Sequence, residues 1–209
     1  MPWKTLLLGG MTTGFHHFWI NGVALRGILD GAGCETYLSE DLEVLASPGL
    51  GQYQMVAVLC TGRSLSPEQE AGLLGFVRDG GALLGLHNAT DTFKNSAQYI
   101  RAIGGSFVTH PPQLDITVEY VDAAHPVVRD LPPFTVHDEL YQMEWDPANV
   151  HLLAQTHSYE GKATPLAWVR QEGDGRVFYL SLGHNREVYD DPNFRQWVER
   201  GARWALGAL

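Results

Sequence analysis

Apolar residues recur along this chain in two alternating rhythms. Short unbroken runs, Thr5 to Leu8, Gln54 to Cys60, Ala82 to Leu86 and Arg176 to Gly183, are too brief for most helices and are bounded by glycine or charge, as expected for strands buried on both faces of a sheet. Between them lie helical patterns. Trp19 to Gly31 places Ile20, Val23, Ala24 and Ile28 on one face, and Phe194, Trp197, Val198, Gly201, Ala202 and Ala205 form a stripe after Asp190-Asp191-Pro192. Ser66-Pro67-Glu68-Gln69 predicts a helix start, with Ser66 as N-cap, proline at the first helical position and Gln69 three residues after the cap, running to about Asp79. A further strand is expected at Cys34 to Leu38.

Strands alternating with helices at this spacing predict right-handed crossovers and a doubly wound parallel sheet through the first hundred residues. The second half reads differently. Asp115 to Val121 alternates polar and apolar residues, as a half-exposed strand does, and Val150 to Ala154 and Pro165 to Val169 add short strands. No internal repeat or low-complexity segment interrupts the chain, and Leu131-Pro132-Pro133 reads as a turn. One domain over residues 1–209 is the simplest organisation, with 44% hydrophobic and 11% aromatic residues to fill its core.

Charge narrows the partners. A formal net charge of -10, from 14 Lys+Arg against 24 Asp+Glu, with no basic run, disfavours nucleic acid or an anionic membrane as partner. No stretch approaches the roughly 20 apolar residues that span a bilayer. Two cysteines, Cys34 and Cys60, are too few for a disulfide framework, and Met1 to Gly9 lacks the form of a signal peptide. A cytoplasmic protein with a small-molecule ligand is expected, and a homo-oligomer is compatible with the sequence.

Candidate chemistry gathers at strand ends. The run Ala82 to Leu86 ends on His87 and the run Arg176 to Gly183 ends on His184; in parallel sheets ligands bind beyond those carboxyl ends. Gly85 allows close backbone approach before His87, and Asn88 to Thr92 offers capping residues for a following helix. The geometry resembles a nucleophile elbow with imidazole in place of Ser or Cys, although a strand-end histidine can equally hold a loop by hydrogen bonds. Loops after the first strand, the His87 strand and the His184 strand converge in such a sheet, so His17, His87 and His184 are candidates to meet. Glu139 is the best carboxylate partner, with a surface or helix-terminal charge as its alternative; Asp138 could serve only as an N-cap.

Two kinds of chemistry suit this set. Neutral imidazoles plus a carboxylate could hold a divalent metal such as zinc, the candidate ligands being His17, His87, His110 and Glu139, although no short metal-binding spacing is present. No other cofactor is indicated. Without metal, His87 and His184 could exchange protons with Glu139 as partner, while Tyr141 orients sugar hydroxyls. His110 and His125 are held extended by the prolines that follow them. The glycine-rich loop Gly9 to Gly14 is not a phosphate-binding fingerprint, and Cys60 lacks an elbow around it.

The segments Gly80 to Ala89, Ile103 to Pro111, His125-Pro126, Asp138-Glu139-Leu140-Tyr141, Pro165 to Trp168 and Gly175 to His184 resemble, in order and approximate spacing, the ThuA-like (trehalose utilisation) family. The resemblance implies an α/β fold of the flavodoxin-like, class I glutamine amidotransferase-like kind, a three-layer sandwich with a mainly parallel sheet. In those amidotransferases the elbow carries a cysteine nucleophile and a later strand ends on the catalytic histidine. Here His184 matches the second position but His87 stands at the first, so thioester glutaminase chemistry is lost. His17 matches the family's histidine after the first strand, with His16 and Trp19 departing from its usual Arg and Ser neighbours. The resemblance implies carbohydrate utilisation: an enzyme acting on a sugar or keto-sugar derivative through His87, His184 and Glu139, with His17, His110, Tyr141, Trp19 and Trp168 contacting the sugar. A sugar-binding or regulatory protein without catalysis and a metal-dependent hydrolase are the alternatives.

Overall fold

In the computed structural model, which describes residues 1–10 and 16–209, the chain runs β1 (Trp3–Leu8), α1 (Phe18–Gly31), β2 (Cys34–Ser39), β3 (Met55–Val58), α2 (Pro67–Arg78), β4 (Ala82–Leu86), α3 (Ala97–Ile103) and β5 (Gly105–Thr109). It continues through β6 (Leu114–Thr117), β7 (Glu119–Tyr120), β8 (Thr135–Asp138), β9 (Gln142–Trp145), β10 (His151–Thr156), β11 (Thr164–Glu172), β12 (Gly175–Leu180) and α4 (Pro192–Ala205). Eight strands form one sheet in the order β2-β1-β3-β4-β12-β11-β10-β7. From β2 to β12 neighbours run parallel; β11, β10 and β7 extend the sheet antiparallel. The sheet lies between two helical layers: α1 and α4 pack on one face around Leu25, Ile28, Trp197 and Phe178, and α2 and α3 on the other around Leu73, Val77, Tyr99 and Ile103. No helix among the described residues is long and apolar enough to cross a membrane.

The local signals act through identifiable bonds. Ser66 Oγ accepts from the Gln69 amide at 3.2 Å while Gln69 Oε1 accepts from the Ser66 amide at 3.0 Å, closing the capping box of α2. Asp191 Oδ1 accepts from the amides of Asn193 and Phe194 at the start of α4, and every residue of the α4 stripe is buried. The strands β3 and β4 are buried at every position, which is why their sequences show no alternation.

Two expectations change. Asp115 to Val121 is not one strand: it breaks at Val118, whose side chain turns into the core, so that β6 pairs with β8 in a separate ribbon and β7 joins the main sheet against β10. Asn88 to Thr92 does not open an α-helix; His87–Thr90 forms a single 3-10 turn, and the next helix starts at Ala97 with Ser96 Oγ accepting from the Tyr99 amide. The Gly9 to Gly14 loop falls largely at Met11 to Gly14, outside the described residues.

Parallel pairing of β12 with β4 sets Tyr179 beside Gly85 and Leu180 beside Leu86. The pairing depends on Gly175, where β12 begins, because a Cβ there would lie 2.0 Å from the Val77 carbonyl oxygen and 2.4 Å from that of Gly81. Both are backbone atoms and cannot swing away. Gly175→Ala is therefore expected to lower stability by about 1–3 kcal/mol, the usual cost of overpacking. Urea denaturation followed by circular dichroism measures it, and an unchanged midpoint would show that the turn accommodates a side chain.

Candidate active site

His87 follows β4 directly and adopts φ +43°, a left-handed conformation that non-glycine residues rarely hold and that costs about 1–3 kcal/mol. Three contacts hold it. The Tyr179 hydroxyl donates to the His87 carbonyl at 2.8 Å, the Thr90 hydroxyl lies 3.4 Å from the same carbonyl, and His87 Nδ1 lies 2.7 Å from the Ser181 carbonyl oxygen. A carbonyl can only accept, so Nδ1 carries a proton and Nε2 is the nitrogen left to face the other groups of the site. A cramped elbow is built around this turn: a Cβ at Gly85 would meet Ile103 Cδ1 at 2.5 Å and both Ala89 and Tyr179 at 3.1 Å.

His184 arrives from β12, and its loop is organised by Asp138 at the end of β8. The fully buried Asp138 carboxylate accepts from the amides of Gly183 at 2.6 Å, His184 at 3.1 Å and Asn185 at 3.0 Å. Burial raises the carboxyl group's pKa, against the effect of the amides that bind its anion. Asn21 of α1 donates to the His184 carbonyl at 3.0 Å, so three elements fix that backbone.

Glu139, next to Asp138, is buried in the loop between β8 and β9 and lies among three imidazoles. His184 Nδ1 is 2.9 Å and His87 Nε2 3.5 Å from Glu139 Oε2, while His110 Nε2 is 3.6 Å from Oε1. Burial by itself would raise the Glu139 pKa, but the neighbouring His184 and His87 outweigh it and hold the group well below the ordinary carboxylate range. For His184 burial lowers the pKa and the adjacent Glu139 raises it, with a net rise.

The fourth imidazole is His16. Its Nε2 lies 3.2 Å from His87 Nε2 and its Nδ1 2.8 Å from the Thr61 hydroxyl, which itself accepts from Asn88 Nδ2 at 2.8 Å. Burial, with His87 and His184 nearby, lowers the His16 pKa to about 3, so the ring is neutral. A cavity of about 320 Å³ opens onto this group, lined by His16, Thr61, Asp91, Phe107, His110, Glu139 and Tyr141. That is close to the roughly 300 Å³ at which small-molecule sites begin. Tyr141 packs between His87 and Phe107, with ring centroids 4.1 Å from each. A larger concavity of about 460 Å³ at the opposite ends of the strands, lined by Trp3, Leu50, Tyr53 and Phe76 among others, gathers no comparable set of titratable groups.

Of the residues expected from sequence, His87, His184, Glu139, His110 and Tyr141 meet here. His17 does not: it is the exposed N-cap of α1, and its neighbour His16 points to the carboxylate instead. Both residues precede the first helical residue, Phe18; His17 occupies the cap position and only His16 faces the cluster. The expected ligand set of His17, His87, His110 and Glu139 is corrected accordingly. Trp168 is also misplaced as a sugar contact, since it is fully buried, donates from Nε1 to the Ile103 carbonyl at 2.8 Å and packs on Tyr179. Trp19 is 57% exposed and packs on Phe18, outside the cavity lining. Glu139 is neither a surface charge nor a helix terminus, and Asp138 caps the His184 loop, not a helix. Sequence reasoning passed over Thr61, Asn88, Asp91, Phe107 and the Ser181 carbonyl; only the position of Ser181 opposite a strand-end residue carried any signal.

The fold and site define a flavodoxin-like α/β protein with a histidine at its elbow. The model for the family described as ThuA, trehalose utilisation, matches residues 5–205, and the chain belongs to that family. Among solved structures it is similar to a ThuA-like protein from Parabacteroides merdae, with TM-score 0.87 and 23% identity over 99% of this chain and 90% of that one. A ThuA-like protein from Bacteroides uniformis gives TM-score 0.83 and 21% identity over 98% and 91%. A β-galactosidase from Bacillus circulans sp. alkalophilus matches 98% of this chain with 31% of its own, at TM-score 0.70 and 11% identity. No curated protein matches the sequence. The family indicates a role in carbohydrate utilisation.

The buried Asp138 carboxylate yields a test of the site's construction. Asp138→Ala leaves three amides without their acceptor and is expected to cost at least about 3 kcal/mol, since each buried unsatisfied group costs about 1–3 kcal/mol. Asp138→Asn, which keeps one acceptor oxygen, is expected to cost less. Urea unfolding of the two variants checks this order; equal stability of Asp138→Ala and the parent would show that the loop holds without the carboxylate.

Proposed function

We propose that the protein is a cytoplasmic enzyme of carbohydrate utilisation that isomerises or eliminates water from a sugar-derived carbonyl compound by proton transfer. The observation that carries this reading is the placement of Glu139, an ionised carboxylate surrounded by imidazoles at the wall of a cavity of sugar-binding size. Two free buried cysteines, Cys34 and Cys60, suit a reducing compartment.

In this reading a ketone-bearing sugar lies against Phe107 and Tyr141 with its carbonyl toward the histidines. Glu139 takes the proton from the carbon next to the carbonyl, and His110, half-exposed at the cavity edge, donates to the oxygen that gains charge or leaves. The His110 Nδ1 lies 2.8 Å from the Pro111 carbonyl, which orients Nε2 toward Glu139. His184 and His87 flank the carboxylate, and the proton that Glu139 takes up passes to His110, whose Nε2 lies 3.6 Å from Oε1, so both groups return to their starting state. The reaction uses no thiol nucleophile: the elbow carries His87, and Cys60 is fully buried with its thiol pKa pushed up to about 12 by burial.

A single carboxylate without its charge tests the reading. Glu139→Gln keeps the shape, and removal of a general base is expected to lower turnover of keto-sugar substrates by about 10²–10⁴-fold. The assay is product formation across a panel of 2- and 3-keto aldoses and their glycosides, with circular dichroism to confirm the fold. Turnover by the parent that Glu139→Gln leaves unchanged, or no turnover of any member by the parent, would overturn it.

A further inference from the structure

His87 Nε2 belongs to a ring whose Nδ1 is committed to the Ser181 carbonyl, and it faces two groups. One is a carboxylate oxygen of Glu139 at 3.5 Å, which has no proton to give; the other is His16 Nε2 at 3.2 Å. A second buried nitrogen faces the same carboxylate oxygen. His184 Nδ1 sits 2.9 Å from Glu139 Oε2 and has no other partner among the described residues. Three rings and one carboxylate thus converge, with one potential ligand atom from each lying within 4.8 Å of the others.

The geometry points to a divalent first-row transition-metal site, zinc or a close neighbour, ligated by His16, His87, His184 and Glu139 through Oε2. Metal–ligand bonds of about 2.0–2.2 Å set tetrahedral donors about 3.3–3.6 Å apart, so the 3.2 and 3.5 Å separations already fit and all the others lie within 4.8 Å. The residues behind the donors have the form that metal ligands require. The Ser181 carbonyl fixes the His87 tautomer by accepting from Nδ1, and Thr61 can accept from His16 Nδ1 in the same way, its hydroxyl oriented by Asn88. Imidazole and carboxylate donors suit zinc, iron, cobalt and nickel better than magnesium or calcium.

The site deepens the proposed function and rests on it for the identity of the substrate. His16 and Glu139 both line the cavity, so an ion between them would meet a ligand oxygen there, and zinc expands to five-coordination when substrate binds. A hydroxyl and a neighbouring carbonyl of a sugar are the donors it would take. Glu139 Oε1 stays turned to His110, which leaves that pair to move protons while the ion polarises the carbonyl.

The test uses the full chain stripped with chelator and titrated with zinc chloride by calorimetry, and with cobalt(II) followed by visible absorption. One equivalent should bind, with the intense ligand-field bands of a low-symmetry cobalt site. His16→Ala and His184→Ala should each weaken binding by at least about 10–100-fold, the loss that changes behind a ligand alone can produce. His17→Ala should not change it. Circular dichroism separates loss of the site from loss of the fold, and if either alanine variant fails to fold, His16→Gln and His184→Gln replace them. Substoichiometric binding by the parent, or unaltered affinity in the folded His16 and His184 variants, overturns the site. If no ion binds while Glu139→Gln abolishes keto-sugar turnover, this inference falls and the proton-transfer reading stands; an ion held by these residues with no sugar turned over gives the reverse.

Discussion

The hydrogen bond from His87 Nδ1 to the Ser181 carbonyl is the constraint on which the site depends. It joins the ends of two parallel strands that come from distant parts of the sequence, and it exists because β12 pairs with β4 in a register that carries Ser181 past the sheet just beside the elbow. One proton is thereby committed, and the nitrogen that remains can only accept, bind a cation or become charged. The left-handed turn at His87 costs energy that Tyr179, Thr90 and this bond together offset. Moving the register by one residue would turn every side chain of β12 to the other face and dissolve the cluster.

What the sequence reveals follows from how each element is stabilised. The parallel core strands are apolar without interruption because both faces are covered, and helices α2 and α4 carry their own caps, so both were readable from local pattern. The two-stranded ribbons β5–β9 and β6–β8 have no such signature. Their strands are short and partly exposed, and the break at Val118 is decided by a core position that no alternation shows. For the site, His87 and His184 were legible because they end buried strands. Glu139 was legible as a carboxylate candidate, with a surface or helix-terminal charge as an equal alternative that only its burial decides. The choice between His16 and His17 was not legible, since it depends on where α1 begins and on the phase of its first turn. Trp168 misled for a physical reason: a large aromatic side chain with one polar atom suits a sugar surface and a core equally, and here Ile103 supplies the acceptor that lets it be buried.

Similarity to the ThuA-like proteins from Parabacteroides merdae and Bacteroides uniformis covers nearly the whole chain, while a β-galactosidase shares the same scaffold over a third of its length. At such low identity the sheet and its layers are what is shared, and chemistry has to be argued from side chains. The substitution of histidine for a nucleophile at the elbow shows why. A thiolate there would attack a carbonyl; an imidazole anchored through Nδ1 turns its lone pair toward other donors.

The electrostatics of the pocket then bear on how those donors coexist. Glu139 brings one negative charge into a buried position, and a buried charge persists only when it is matched. His184 with a raised pKa can match it, but His16 resists protonation because burial and the neighbouring rings push its pKa down. The cluster therefore offsets its single negative charge with one positive charge and not by protonating every ring. It can carry one proton shared between Glu139 and His184, or one cation shared among all four groups, and these two occupancies use the same carboxylate oxygen. Proton and cation compete for Oε2, whereas Oε1 faces His110 and the cavity in either case. The division of one carboxylate between an inner, structural oxygen and an outer, reactive one is how a site this small could hold its geometry and still exchange a proton with a bound sugar.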